Sequence, residues 1–427
     1  MANLFTELFE DALNEYAYNA GLAGLSYSLT NTRVGFLLTV EGYHDKQPMF
    51  LRKILEELSE FNVDEKRFGI YKEKYMRGLR NFDNKEPYQH AIYYANHLMA
   101  ELEWTITELL HSAADMTVDK LQEFIPRVLS NLSIEAFMYG NVTKKQSREL
   151  MNMTENILTK KCGTRELFAS QCKRYREVQI PDGCYYLYQA ENNVHRSNSV
   201  CIYYQCGLQD TLSSVLLKLF LNIIDEPCFD ILRTKEQLGY TVYSCFREAC
   251  GVQGLEIVIQ SDKPSQYLND RAEAFLYHMD NVIRDMSEEE YSHYVEALVN
   301  DILEKPKNIY EQDAEYWCEI SSNTYNFDRD NIEVACLKTI KKDDLIKFYQ
   351  EFIAIDAPYR HKLAIHVCSS LSEELKADEL SANDTDLLPL PPKIPEPILV
   401  EDIAEFKRCT GLYPLPKPFI KIVKVAE

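Results

Sequence analysis

The feature that most constrains this chain is a repeat of its own pattern. Gly24-Leu25-Ser26-Tyr27-Ser28 returns as Gly239-Tyr240-Thr241-Val242-Tyr243, 215 residues later. Gly35-Phe36-Leu37 aligns with Gly254-Leu255-Glu256 at an offset of 219. Val63 to Phe68 aligns with Met286 to Tyr291 at 223, and Asp119, Leu121 and Phe124 with Asp343, Leu345 and Phe348 at 224. An offset that drifts in one direction is the mark of two copies separated by small insertions, with the element order kept. At 427 residues the chain has room for both.

Periodicity gives each copy its elements. In the first, 4–20 reads as a helix, 22–28 and 34–41 as strands, and 47–60 and 64–112 as helical with a break near Asn81–Pro87. Met116–Leu132 reads as a helix capped by Thr117, Ile134–Tyr139 as a strand and Lys145–Lys160 as a helix. In the second, strands are expected at 184–189, 200–206, 240–246, 254–260 and 361–367. Helices are expected at 211–225, 226–236, 264–284, 288–304, 308–322 and 343–352, with a Ser287/Glu290 capping box. The expected class is α+β, two related domains, each a mainly antiparallel sheet packed by helices. The second copy has two strands before its first helix and the first copy has none, so the chain reads as a fragment starting inside a domain. The domain expectation is a first repeat over 1–165, a second over 174–370, a Pro-rich linker over 371–400 and a tail over 401–427 packing back on the fold.

Composition narrows the function. A formal net charge of −21 argues against a general nucleic-acid binder. No apolar run reaches a membrane span and the start is amphipathic and acidic, so a cytoplasmic location is the simplest expectation. The twelve cysteines include no CxxC pair and read as free, buried thiols. The sequons at Asn131, Asn141, Asn152 and Asn383 then read as chance matches. There is no GxGxxG, P-loop, GxSxG, HExxH or HxxEH motif. The nearest approach to a zinc motif, His293-Tyr-Val-Glu296, has Ala297 where a second His belongs, and reads as a surface helix. His90 and His97 lack ligand-spaced partners, and His361 and His366 fall on opposite faces of a strand.

One stretch, DEPCFDILRTKEQLGY over 225–240, invites a sharper reading. Asp225 is placed to cap a new helix with Pro227 in its first turn. Phe229 and Arg233 then share a face, and Gly239 turns the chain into the Tyr240 strand. Such a corner aims a guanidinium and a phenol at one point. A salt-bridged Arg with a core Tyr is the plainer alternative.

That stretch, with NEYAYNAGLAGLSYSL, GYHDKQPMFLRKILEEL, ALVNDILEKPKNIY, YNFDRDN and the tail PLPKPFI, resembles the pitrilysin-like inverzincin peptidases from about residue 2 to 425. The resemblance implies the third domain of four, short of its opening strands, and the whole fourth. It implies a zinc metalloendopeptidase acting on insulin-like and other short peptides, of which this chain is the C-terminal half. Zinc would belong to an absent N-terminal half, the partner with which this one closes a substrate chamber, and a homodimer through this half is compatible with the family. The positions matching the metal helix carry Leu216, Leu217 and Lys218, so this chain is expected to bind no metal and to be inactive alone. By resemblance, Arg233 and Tyr240 are catalytic and, with Phe229, contact substrate, while Cys228 makes activity thiol-sensitive. The segment before KPK is less basic than in the family, which leaves anion or nucleotide binding at Lys305 and Lys307 open. A catalytically silent scaffold or interaction subunit is the second reading, and a Cys-dependent hydrolase the third.

Overall fold

The computed structural model describes residues 1–371 and 387–420. The Asn383 sequon, the tail residues Ile422 and Val423 and most of the Pro-rich linker's first half lie outside them. The chain divides into two compact units, 1–82 with 104–174, and 83–103 with 175–427. The first repeat was expected to run unbroken over 1–165. Instead 83–103 leaves it, because Ala91, Ala95, Leu98 and Met99 form an apolar helix face that packs on the second unit's sheet.

The first unit opens on α1 (Ala2–Leu22), whose Leu4, Phe5, Leu8, Phe9 and Leu13 are buried at helical spacing. A hairpin of β1 (Leu25–Asn31) and β2 (Phe36–Gly42) follows, paired from Leu25↔Gly42 to Asn31↔Phe36. Then come α2 (Gln47–Ser59) and α3 (Glu65–Arg80), while α4 (Pro87–Met99) crosses to the second unit. The helices α5 (Ile106–Ala114), α6 (Val118–Leu129) and α7 (Lys144–Cys162) complete the layer. Polar caps set their starts: Asp64 accepts from the Arg67 N–H at 2.8 Å, and Thr117 from the Lys120 N–H at 3.3 Å. The strand expected at Ile134–Tyr139 does not form. Only β3 (Asn131–Leu132) pairs there, with β4 (Arg165–Glu166), and Ile134 to Ala136 are exposed.

The second unit centres on a six-stranded sheet. After β5 (Val178–Gln179) come β6 (Tyr185–Asn192) and β7 (Asn198–Leu208), then α8 (Thr211–Cys228), β8 (Thr241–Ala249) and β9 (Val252–Ser261). Next are α9 (Ser265–Asp285), α10 (Glu288–Ile302), α11 (Ile309–Ser321), α12 (Arg329–Leu337), α13 (Lys342–Phe352) and β10 (Lys362–Ser369). The last elements are β11 (Ile398–Leu399), α14 (Ile403–Cys409) and β12 (Gly411–Leu412). Strand order is β11-β6-β10-β7-β9-β8, with β6 parallel to β10 and β11 and every other pair antiparallel. The α+β class holds. Nine successive residues of β7 are buried, because α8, α9 and α13 cover one face and α4 and α14 the other.

Candidate functional site

The corner at 225–240 is built by a core helix that changes pitch. Asp210 caps α8, accepting from the Leu212 and Ser213 N–H groups at 3.0 and 3.1 Å. Val215 to Ile224 then bury nearly every side chain, anchoring the helix in the sheet-facing core. The sequence suggested a new helix capped by Asp225. The structure corrects this: α8 runs straight through Pro227, which has no N–H to continue the α ladder, and widens into a π-helical turn over Phe229–Lys235. Leu232 and Leu238, both buried, pin the turn to the core. Gln237, not Gly239, takes the left-handed backbone, with φ 48°. Gly239 is needed for a different reason. A Cβ there would stand 1.9 Å from the Gln260 carbonyl oxygen.

Arg233 lies between two rings. Its guanidinium carbon is 4.5 Å from the Phe229 ring centroid and 4.5 Å from that of Tyr240. Both contacts are at cation–π distance. Among the described residues no carboxylate pairs with it, so the salt-bridged alternative is not the arrangement found. Tyr240 is 84% exposed and Phe229 47%, unlike core aromatics. The structure thus brings Phe229, Arg233 and Tyr240 together on the surface.

The other named residues are elsewhere. Cys228 is fully buried beneath the corner, and burial pushes its thiol up to about 12. All twelve cysteines are free, but Cys172, Cys318 and Cys409 are exposed, so the expectation of uniform burial fails. Leu216 and Leu217 are core residues, and Lys218 donates to Glu333 at 2.6 Å. His293 and Glu296 lie exposed on α10. Lys305 is exposed and Lys307 pairs with Glu304 at 3.0 Å. Among the described residues no group of three or more His, Cys, Asp or Glu side chains is placed to hold a metal ion, and no helix is long and apolar enough to cross a membrane.

Sequence reasoning missed the buried ionic groups of this unit. Glu236 pairs with Arg271, and Glu273 with Arg360 and Lys362. The partners are 35 to 89 residues apart, and no local spacing signals them.

Residues 1–112 match the middle or third domain of peptidase M16. Residues 219–317 match domain 4 of the C-terminal lobe of PqqF-like PQQ synthase. The chain is 49% identical to insulin-degrading enzyme of Homo sapiens over 424 residues, 99% of this chain and 42% of that protein. Against insulin-degrading enzyme of Drosophila melanogaster the identity is 38% over 421 residues, 98% of this chain and again 42% of that protein. In fold it is similar to the crystal structure of pitrilysin, with a TM-score of 0.79 at 19% identity over 96% of this chain and 41% of that one. The chain therefore spans about two fifths of the length of the relatives it matches.

Proposed function

Because this chain is a homologue of insulin-degrading enzyme and carries a domain of the M16 peptidase family, we propose that it serves as the C-terminal half of a zinc metalloendopeptidase degrading insulin-like and other short peptides. Its partner is a zinc-bearing N-terminal half, and the two close a substrate chamber. The metal would supply Lewis-acid chemistry from that other half. Alone, the chain cleaves nothing.

The observation that carries this reading is the exposed stack of Phe229, Arg233 and Tyr240. When a peptide bond is attacked, negative charge builds on its carbonyl oxygen. Donors held ready where that charge forms lower the barrier without reorganising. The guanidinium rim of Arg233 and the Tyr240 hydroxyl are such donors. The two rings hold Arg233 with no carboxylate partner among the described residues, and Phe229 gives the substrate an apolar wall.

The test is Tyr240→Phe in a complex with a zinc-bearing half. It should lower kcat by roughly 10²–10³-fold, and Arg233→Ala by at least as much. Zinc content and melting temperature should stay put, since neither residue is a proposed ligand and the hydroxyl is exposed. Unchanged turnover with Tyr240→Phe overturns the reading.

A further inference from the structure

Five residues, 236–240, join the π-helical turn that carries Arg233 to β8, and Tyr240 is the last of them. The first of them is a buried glutamate. Glu236 is 3% exposed, and its carboxylate is met by the guanidinium of Arg271 from α9, itself 4% exposed. The contact is bidentate, Nε to Oε2 at 2.7 Å and Nη2 to Oε1. The remaining arm, Nη1, donates to the Leu388 carbonyl at 2.9 Å. Lys263 Nζ reaches the Glu236 carbonyl at 3.4 Å.

A buried ion pair is a poor way to gain stability, because an apolar pair of the same volume does as well or better. What the planar fork adds is a fixed angle. Here it fixes the residue between the stacked arginine and the left-handed Gln237. We infer that Glu236 and Arg271 are positioning residues: their ion pair sets the orientation of the Arg233–Tyr240 corner. The inference rests on the reading of that corner as the substrate-facing site.

Two variants test it on the full chain. Arg271→Lys keeps the charge and loses the fork. Glu236→Leu with Arg271→Met removes both charges together, so no lone charge stays buried. The readout is hydrogen exchange at the Glu236 and Leu238 amides, which donate to the Ile231 and Leu232 carbonyls at 2.8 and 3.0 Å. Both variants should exchange there at least about tenfold faster, with β7 and β9 unchanged. Unchanged corner exchange in either folded variant overturns the inference. In the complex with a zinc-bearing half, Arg271→Lys should lower kcat by roughly tenfold, with KM little changed. Adding Tyr240→Phe to it should cost less than Tyr240→Phe alone does. If Tyr240→Phe is silent while corner exchange still rises, the functional reading fails and the positioning role stands. If Tyr240→Phe is damaging but the corner stays protected, the positioning role fails and the functional reading stands.

Discussion

The two repeats share helix order and capping, yet only one completes a sheet. In the second unit β10 follows α13 and lies between β6 and β7, with hydrogen bonds on both edges. In the first, the segment after α6 has the apolar residues of a strand, Ile134, Phe137 and Tyr139, yet among the described residues no strand is formed over 134–139. A strand is made by its partners as much as by its side chains. The same difference reaches the cores. Among the described residues the first unit buries one polar side chain, Thr6. The second, with its sheet covered on both faces, buries Glu177, Glu236, Arg247, Glu256, Arg271, Glu273, Arg360 and Lys362. A deep interior lets charges be paired away from water, and a shallow one does not.

The largest effect that would test this contrast lies at Glu273. Its carboxylate accepts from Lys362 at 2.6 Å, from Arg360 at 2.6 Å and from the Tyr204 hydroxyl at 3.1 Å. Glu273→Gln leaves two buried cations short of their counter-ion and should destabilise the second unit by roughly 3–5 kcal/mol. The first unit's transition should not move. Acid gives the matching signature. Burial opposes the Glu273 charge, but Lys362 and Arg360 outweigh it and hold the carboxyl at about 2, below its ordinary 4.5. A lowered folded value means stability present above the ordinary value and lost as pH falls from there towards about 2. Glu177 and Glu256 share the single guanidinium of Arg247, and burial pushes both up, so they carry the opposite sign and blunt the loss. Unfolding followed from pH 5 to 2 should show the slope in wild type and a shallower one in Glu273→Gln. A first unit equally sensitive to acid would break the contrast.

A smaller effect compares the paired glycines. A Cβ on Gly254 would meet the Tyr204 carbonyl oxygen at 2.2 Å and the Tyr203 ring at 2.5 Å, because β7 lies alongside. Gly254→Ala should cost about 3 kcal/mol, the upper end for overpacking. Its counterpart Gly35 has nothing within 4 Å, and Gly35→Ala should stay within about 0.5 kcal/mol in denaturant unfolding. A large cost at Gly35 would mean that β2 is flanked in solution as β9 is.

Much of this was legible in the sequence, and the failures are instructive. The caps at Thr117 and Ser287 came through because a cap is written within four residues: Thr117 with Lys120, Ser287 with Glu290. The corner residues were legible as a group, but Pro227 was read as a start signal. In fact it sits inside a helix that core packing carries across it. The helical stretch holding α4 was legible, but not that Ala91, Ala95 and Leu98 would pack on the second unit's sheet. The ionic groups were invisible, because nothing in a Glu near Lys263 and an Arg near Pro358 announces that they meet.

The smallest effect asks whether helix capping depends on the sheet at all. Asp64 and Ser287 are repeat partners, 223 residues apart, and each accepts from the third helical N–H, at 2.8 Å from Arg67 and 3.2 Å from Glu290. Removing that acceptor exposes one donor at a helix start, a cost of about 1 kcal/mol wherever the helix sits. Asp64→Ala and Ser287→Ala should therefore cost their own units the same, shifting each unit's calorimetric transition by roughly 2–4 °C and leaving the other's in place. Ser287 has one compensation that Asp64 lacks. Glu290 Oε2 still accepts from the N–H of residue 287 at 2.8 Å, so the helix start stays half-capped. If anything, then, Asp64→Ala should be the costlier by a few tenths of a kcal/mol. A much larger loss at Asp64 would show that the first unit leans on its helix ends where the second leans on its sheet.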